Sequence, residues 1–220
     1  MSVSSQTLQV CEIFHSLQGE STRAGKPCAF IRLAGCNLSC SWCDTKYSQE
    51  ERGRELPLGM IIETVRPYKA PLAEITGGEP LLQKATPALA AMLADEGYEV
   101  LVETNGSVDI SLLPYPVARI MDLKPPSSGM AMHNRMANLV HLRRGDEVKI
   151  VIADRMDYEW AATIITGAEY PGKTVETLLS PAQGRVAAAE LAGWMLADKL
   201  PARMNLQLHK YIWPDIDRGV

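Results

Sequence analysis

The 220-residue sequence has no long apolar run and no excess of positive charge. No stretch approaches the roughly 18 apolar residues of a membrane-spanning helix, so we expect no membrane-embedded protein. Residues 1–9 lack the basic start and apolar stretch of a signal peptide, which predicts a cytoplasmic protein. Lys and Arg number 22 against 26 Asp and Glu, a net charge of −4. That balance argues against nucleic acid as a partner, because nucleic-acid binding requires a basic surface.

The number of cysteines is odd, so they cannot all pair in disulfides within the chain. There are five, and three of them crowd into residues 36–43. A chain in a reducing compartment seldom uses disulfides, and clustered cysteines there bind metal or carry chemistry. Cys11 and Cys28 lie in strand-like stretches instead, and we expect both to be core thiols.

Short apolar strands alternate with amphipathic helices along the chain, with Gly or Pro between them. This alternation predicts an α/β fold with a mostly parallel sheet and helices outside it. About six such units are fewer than the eight of a complete barrel. We therefore expect an incomplete, TIM-like β/α barrel of about six strands, with an open doubly wound sheet as the alternative. A single domain is expected over residues 1–220, with a functional loop at about 34–57 and a C-terminal tail at about 209–220.

Strand-like stretches are predicted at residues 8–14, 29–33, 72–75, 99–102, 118–121, 147–152, 174–179 and 204–208. Helices are predicted at residues 58–65, 85–96, 157–165 and 186–200. Polar residues follow several of the strands directly. In both candidate architectures ligands bind beyond the carboxyl ends of the strands. The polar strand ends therefore predict one shared pocket.

The most specific pattern in the sequence is CxxxCxxC, formed by Cys36, Cys40 and Cys43. Cysteine thiolates suit soft metals and iron–sulfur clusters. Three thiolates from one tight loop are able to hold a 4Fe–4S cluster and leave one iron open. The alternative is a structural zinc site, which requires four ligands. Cys11, Cys28 or His15 is the available fourth ligand in that case.

The cysteine loop and a second short element resemble motifs of the radical S-adenosylmethionine (SAM) superfamily. Its members carry the CxxxCxxC loop with an aromatic residue before the third cysteine, here Trp42, which contacts the adenine. They also carry a Gly-Gly-Glu-Pro element that holds the methionyl amino group, here residues 77–80. The resemblance implies a radical SAM core, a 4Fe–4S cluster and SAM. The implied SAM contacts are Trp42, Cys43, Asp44, Gly78, Glu79, Asp122, Lys124 and Ser180.

Within that superfamily the chain resembles the 7-carboxy-7-deazaguanine synthase family. Residues 12–20, 30–38, 43–45, 76–80 and 207–211 carry the resemblance across nearly the whole chain. It implies a lyase that contracts 6-carboxytetrahydropterin to 7-carboxy-7-deazaguanine with loss of ammonia, on the route to queuosine. It also implies a magnesium-dependent homodimer that takes electrons from a donor such as flavodoxin or ferredoxin.

The family resemblance further implies a set of contacts to the pterin substrate. A planar guanidinium such as that of Arg32 suits a carboxylate, and the side chains of Gln18 and Glu20 can pair with the amide and amine edge of a pterin. Thr45 matches the magnesium ligand, and Mg²⁺ usually completes its shell with water and substrate oxygens. The implied substrate contacts are Leu17, Gln18, Gly19, Glu20, Arg32, Thr76, Glu103 and His209.

Two departures from the family pattern concern the expected substrate contacts. Ser21 stands where glycine is usual, and the tail continues past Tyr211 to Val220. Two other functions remain as alternatives. A small activating enzyme for a glycyl-radical protein shares the cysteine loop and cleaves SAM, but it lacks the elements around Gln18 and His209. A zinc-binding module would not cleave SAM.

Overall fold

The computed structural model describes residues 6–216 and 218–220. Residues 1–5, which bear on the expected lack of a signal peptide, and residue 217 of the predicted tail lie outside the described residues. The strands are β1 (Thr7–Leu17), β2 (Pro27–Leu33), β3 (Arg54–Pro57), β4 (Leu72–Gly77), β5 (Glu99–Thr104), β6 (Ala118–Asp122), β7 (Glu147–Ile152), β8 (Glu176–Pro181) and β9 (Arg203–Met204). The helices are α1 (Tyr47–Glu50), α2 (Leu58–Val65), α3 (Thr86–Asp95), α4 (Arg155–Ile165), α5 (Ala188–Asp198) and α6 (Leu208–Ile212). Short 3₁₀ turns occur at Arg66–Tyr68, Pro80–Leu82, Ile110–Leu112, Pro126–Ser128, Ala131–His133 and Met136–His141.

One mostly parallel, open sheet contains all of these strands, in the order β3-β1-β2-β4-β5-β6-β7-β8-β9. Strand β2 and strands β4 to β9 are parallel and follow chain order, as in a β/α barrel, whereas a doubly wound sheet reverses its order at a switch point. The expected α/β fold is confirmed. The sheet nevertheless has nine strands instead of about six, because the antiparallel strands β1 and β3 extend one edge and the two-residue β9 extends the other.

Several predicted element bounds were wrong. Residues 34–57 are not wholly irregular, because α1 and β3 lie within them. The short strand β3 is stabilised by pairing with β1, a long-range contact that leaves no periodic pattern in the local sequence. Residues 204–208 were expected to form a strand, but β9 ends at Met204 and α6 begins at Leu208.

Alternate side chains of the parallel strands point to opposite faces of the sheet, one towards the apolar core and the other towards the site. In β4 the side chains of Ala73 and Ile75 join the main apolar core beneath the helices. Those of Glu74 and Thr76 face the opposite side of the sheet and line a cavity. Successive side chains of a strand point to opposite faces, so each strand contributes to both layers. In the part of the chain that the structure describes, no helix combines the length and the apolar character needed to cross a bilayer.

Candidate active site

A cavity of about 540 Å³ opens beyond the carboxyl ends of the parallel strands. Polar strand ends, the loop after β1, the cysteine loop and the C-terminal segment all contribute to its wall. Nearly all of the predicted site residues line this one cavity: Leu17, Gln18, Gly19, Glu20, Arg32, Cys36, Cys40, Trp42, Cys43, Asp44, Thr45, Thr76, Gly78, Glu103, Asp122, Lys124 and His209. The shared pocket predicted from the strand ends is therefore present.

The three cysteines of the motif are free thiols that stand on the same wall of the cavity. Burial raises the pKa of Cys36 and of Cys40, so a metal centre has to displace protons to bind there. The backbone N–H of Leu38 donates to Cys36 Sγ at 3.4 Å, and Gln49 Nε2 donates to Cys43 Sγ at 3.3 Å. Hydrogen bonds to sulfur of this kind tune the potential of iron–sulfur clusters.

The donor set fits an iron–sulfur cluster. Three thiols come from one short loop and face a cavity that leaves room for a ligand beside them. Within residues 6–216 and 218–220, no group of three or more His, Cys, Asp or Glu side chains is arranged to hold a single metal ion. Cys28 is fully buried, and neither it nor Cys11 lines the cavity.

The loop of cysteines is held against the end of β4 by a close backbone approach. The Glu79 N–H donates to the Gly35 carbonyl at 2.8 Å. A Cβ at position 78 would lie 2.1 Å from that same carbonyl oxygen and 2.8 Å from Cys36 Cβ. Only glycine fits at position 78 without a shift of the loop, since real Cβ atoms do not approach backbone so closely. The Gly-Gly-Glu-Pro element therefore sets the position of the first cysteine.

Two predicted SAM contacts do not line the cavity. Glu79 is fully buried, and its carboxylate accepts hydrogen bonds from Thr104 Oγ1 at 2.8 Å and from the Asn105 N–H at 2.6 Å. Ser180 is also fully buried, and its hydroxyl accepts a hydrogen bond from Asn205 Nδ2 at 2.8 Å. Both side chains brace strand ends beneath the cavity wall, and a role for either in SAM binding stays a prediction.

A buried ammonium group organises the acids of the cavity. Lys149 Nζ lies 2.9 Å from Glu20 Oε2 and 3.5 Å from Asp122 Oδ2, and it also pairs with Glu103. Burial opposes the charge of this group, but the three carboxylates raise the pKa of Lys149 well above its usual value. In turn, despite burial, the Lys149 charge lowers the pKa of Glu103. The Lys149 ammonium group therefore joins Glu20, Glu103 and Asp122 in one network.

A second basic residue at the rim pairs with the same aspartate. Lys124 Nζ lies 3.0 Å from Asp122 Oδ2. The charge of Asp122 raises the pKa of Lys124 although burial lowers it. Asp122 Oδ1 is buried without a hydrogen-bond partner among the described residues. The pair thus offers a cation and an acceptor atom between the cysteine wall and the acid network.

Arg32 projects from β2 into the cavity and is surrounded by aromatic and acidic side chains. Its Nε lies 2.8 Å from Glu12 Oε1, which also accepts the hydroxyl of Tyr47 at 2.6 Å. The guanidinium carbon lies 5.8 Å from the centre of the Phe14 ring, within the range of a cation–π contact. These contacts fix the guanidinium at the wall, where it can bind an anionic group.

The C-terminal segment contributes Gln207, His209 and Lys210 to the cavity wall. Lys210 Nζ pairs with Asp44 at 2.7 Å, and Gln207 Nε2 donates to Glu20 Oε1 at 2.8 Å. A Cβ at position 19 would lie 2.3 Å from His209 Nδ1, so a larger residue there would displace the imidazole. Burial lowers the pKa of His209, which keeps the imidazole neutral at neutral pH.

Glu74 and Lys149 are among the cavity residues that sequence reasoning missed. Each is an ionisable side chain within a buried strand of mostly apolar residues. That combination was the available signal, because a charge at such a position is rarely tolerated without a partner or a function.

Comparison with known proteins gives a consistent assignment. A sequence model of the Radical SAM superfamily matches residues 30–121. A 7-carboxy-7-deazaguanine synthase of Chlorobaculum tepidum is 46% identical over 216 residues, which cover 97% of each chain. The synthase of Koribacter versatilis is 40% identical over 97% of this chain and all of its own. The crystal structure of QueE from Escherichia coli superposes with a TM-score of 0.74 at 22% identity, covering 92% of this chain and 95% of that one.

Proposed function

Because the chain belongs to the 7-carboxy-7-deazaguanine synthase family of the radical SAM superfamily, we propose that it converts 6-carboxy-5,6,7,8-tetrahydropterin to 7-carboxy-7-deazaguanine with loss of ammonia. One observation carries the proposal beyond the family name. The three thiols and the groups suited to a carboxylated pterin line the same cavity of about 540 Å³. A cavity of this size is within the range of small-molecule sites.

The cysteine wall is proposed to hold the cofactors. Cys36, Cys40 and Cys43 would ligate a 4Fe–4S cluster, while Trp42 and Lys124 would contact SAM. When bound, these cofactors would supply one-electron radical chemistry at the substrate carbon that bears the carboxylate. The contribution of the protein is to place that carbon beside the radical and to exclude water.

The opposite part of the cavity is proposed to hold the pterin. Arg32 would pair with the carboxylate, because a planar guanidinium binds carboxylates in bidentate geometry. Glu20 and Glu103, both paired with Lys149, would accept hydrogen bonds from the amine and amide edge. His209, in the C-terminal tail, has a neutral imidazole that would accept or donate one hydrogen bond with the pterin.

Thr45 is proposed to ligate a magnesium ion between the cluster wall and the substrate. Its hydroxyl lies 3.8 Å from Cys43 Sγ and lines the cavity. One hydroxyl suffices as a protein ligand for Mg²⁺ when water and substrate oxygens complete the octahedron. The oxygen-rich carboxylate and lactam of the pterin would supply such ligands.

Three further properties are proposed from family membership. The chain would function as a single radical SAM domain, as a homodimer, and with a one-electron donor such as flavodoxin or ferredoxin. A cytoplasmic location would give it access to that donor. These proposals concern the setting of the reaction and do not alter the assignment of residues in the cavity.

An anaerobic assay tests the reaction. Protein with a reconstituted cluster is mixed with dithionite, SAM, magnesium and 6-carboxytetrahydropterin, and the products are separated by chromatography. We expect 7-carboxy-7-deazaguanine and ammonium in excess of 5′-deoxyadenosine, because the family regenerates SAM after each turnover. Stoichiometric consumption of SAM with the pterin untouched would instead identify an activating enzyme for a glycyl-radical protein. Fully clustered protein that forms no deazapurine overturns the proposed reaction.

A further inference from the structure

Glu74 makes an unusual contact in the middle of the parallel sheet. It lies on β4, is 3% exposed and lines the cavity floor. The side-chain amide of Gln18 donates to Glu74 Oε2, and Gln18 Oε1 accepts the backbone N–H of Glu20 at 3.0 Å. Both ends of the Gln18 amide are therefore engaged, one with the sheet and one with the turn of residues 18–20. This turn carries three of the proposed pterin contacts.

The charges around Glu74 disfavour a further anion. The titratable or hydrogen-bonding side chains that face it come from β2, β5, β7 and the loop after β1, and they are Cys28, Glu103, Lys149, Gln18 and Glu20. Lys149 is the cation of this group, and it is already shared by Glu20, Glu103 and Asp122. An ionised Glu74 would lie in a buried site next to Glu103 without a cation of its own.

We propose that Glu74 is a positioning residue for the pterin, and that its neutral carboxyl group fixes the Gln18 amide and thereby the turn of residues 18–20. The inference rests on the proposed function, because its readout is pterin binding. Burial and then the charge of Glu103 raise the pKa of Glu74 well above its usual value, which agrees with this arrangement. Ionisation of Glu74 would repel Glu20 and compete for Lys149, so that the turn would leave its place at the cavity wall.

The test uses binding, which is independent of turnover. 6-Carboxypterin, a fluorescent oxidised analogue of the substrate, is titrated into clustered, SAM-loaded protein. Glu74→Leu removes the acceptor of Gln18, and we expect its Kd to rise at least tenfold. Glu74→Gln retains a carbonyl acceptor and no charge, and we expect it to restore the binding lost in Glu74→Leu. If Glu74→Gln bound 6-carboxypterin as weakly as Glu74→Leu, the carboxylate form would be required. That result would overturn the proposal.

Coupling to Gln18 separates positioning from a general loss of structure. If Glu74 acts through Gln18, the double variant Gln18→Ala/Glu74→Leu should bind no more weakly than the weaker single variant. If the losses in binding free energy of the two single variants add in the double variant, Glu74 does not act through Gln18 and the proposal is overturned. Iron content is measured on every variant as the control for the cysteine loop, and we expect it to match that of the wild-type protein.

The pH dependence of the Kd distinguishes a role of the Glu74 proton from a merely structural role of the side chain. The pterin lactam also ionises in alkaline solution, but it does so equally for both proteins, so the ratio of their Kd values isolates Glu74. In a titration from acidic to alkaline pH, we expect the wild-type Kd to rise relative to that of Glu74→Gln once Glu74 ionises, by up to tenfold per pH unit. A constant ratio over that range overturns the role of the proton. Wild-type protein that does not bind the pterin overturns this proposal together with the proposed function, whereas binding that is unaffected by Glu74→Leu overturns this proposal alone.

Discussion

The backbone N–H of Asn105 donates to Glu79 Oε2 at 2.6 Å, which joins the ends of β4 and β5 beneath the cavity. Asn105 in turn directs its side-chain amide to Asn37 Oδ1 at 3.1 Å and towards Cys36 Sγ at 3.8 Å. Glu79 is thereby connected through Asn105 to the cysteine loop. The carboxylate that the resemblance assigns to SAM binding acts in the structure as a brace for the wall where the cluster is expected.

Replacement of Glu79 by Ala should therefore destabilise the protein. Three donors would lose their acceptor, namely the N–H groups of Leu81 and Asn105 and the hydroxyl of Thr104. Each buried donor left unsatisfied costs about 1–3 kcal/mol, so we expect the free energy of unfolding to fall by about 3 kcal/mol or more. Urea unfolding of the anaerobic protein measures this loss. Glu79→Gln keeps one carbonyl acceptor and should lose less; equal stability of the Ala variant and wild type would refute the bracing role.

The cysteine assignment predicts a sharp division among the five thiols. Cys36→Ala, Cys40→Ala and Cys43→Ala should each lose the cluster and the brown colour, because each removes a ligand of the open 4Fe–4S site. Cys11→Ala and Cys28→Ala serve as matched controls and should retain about four irons per chain, because neither thiol lines the cavity. Iron analysis and visible absorption measure the outcome. A wild-type protein that holds one zinc and no iron would contradict the assignment.

Thr45→Ala should weaken the stimulation by magnesium while SAM still binds. The methyl group offers no oxygen to a hard cation, whereas the hydroxyl of Thr45→Ser does, so the serine variant should retain the response. Activity measured over a range of magnesium concentrations gives the apparent affinity, and iron content is the control for the nearby Cys43. A wild-type magnesium response in Thr45→Ala would reassign the hydroxyl to packing of the loop.

Local motifs made the cysteine wall predictable from the sequence. The proposed ligands Cys36, Cys40 and Cys43 lie within one loop, so their spacing is visible in the sequence, and the family resemblance that followed from it is confirmed by the relatives. The parallel order of the sheet was likewise predictable, because alternating strand and helix patterns have few topological solutions.

Long-range contacts were not predictable in the same way. Strand β3 and helix α1 have four residues each and depend on tertiary contacts, so no periodicity marks them. Glu74 and Lys149 resemble solvent-facing residues until the tertiary structure places both of them in the wall of one cavity. The buried position of Glu79 follows from the turn that brings Gly78 against Gly35, a close approach that spacing along the chain does not reveal.

Lys149→Met should destabilise the protein strongly at neutral pH. It leaves Glu20, Glu103 and Asp122 without their shared cation, and breaking a buried ion pair from one side costs about 3–5 kcal/mol. The lowered pKa of Glu103 stabilises the folded state above its unfolded pKa, and this contribution is lost as pH falls through the folded value. The gap between variant and wild type should therefore be larger at pH 7 than at pH 4.

Thermal unfolding at the two pH values measures that difference. Lys84→Met on the exposed surface is the matched control and should change the melting temperature little at either pH. A Lys149→Met protein that melts with the wild type at pH 7 would show that the carboxylates are solvated without the ammonium group.

Glu74→Gln should make the protein more stable, and increasingly so as the pH rises. A carboxyl group whose pKa is raised in the folded state binds a proton that the unfolded chain has released, so stability falls between the unfolded value of about 4.3 and the folded value. Glutamine is neutral in both states and avoids this cost, which amounts to about 1.4 kcal/mol per pH unit in that interval. Melting temperatures at pH 5, 6, 7 and 8 should therefore diverge, with the variant higher. Glu176→Gln, at an exposed position at the start of β8, is the control and should show no such trend. Parallel curves for Glu74→Gln and wild type would mean that Glu74 is as acidic in the folded protein as in the unfolded chain.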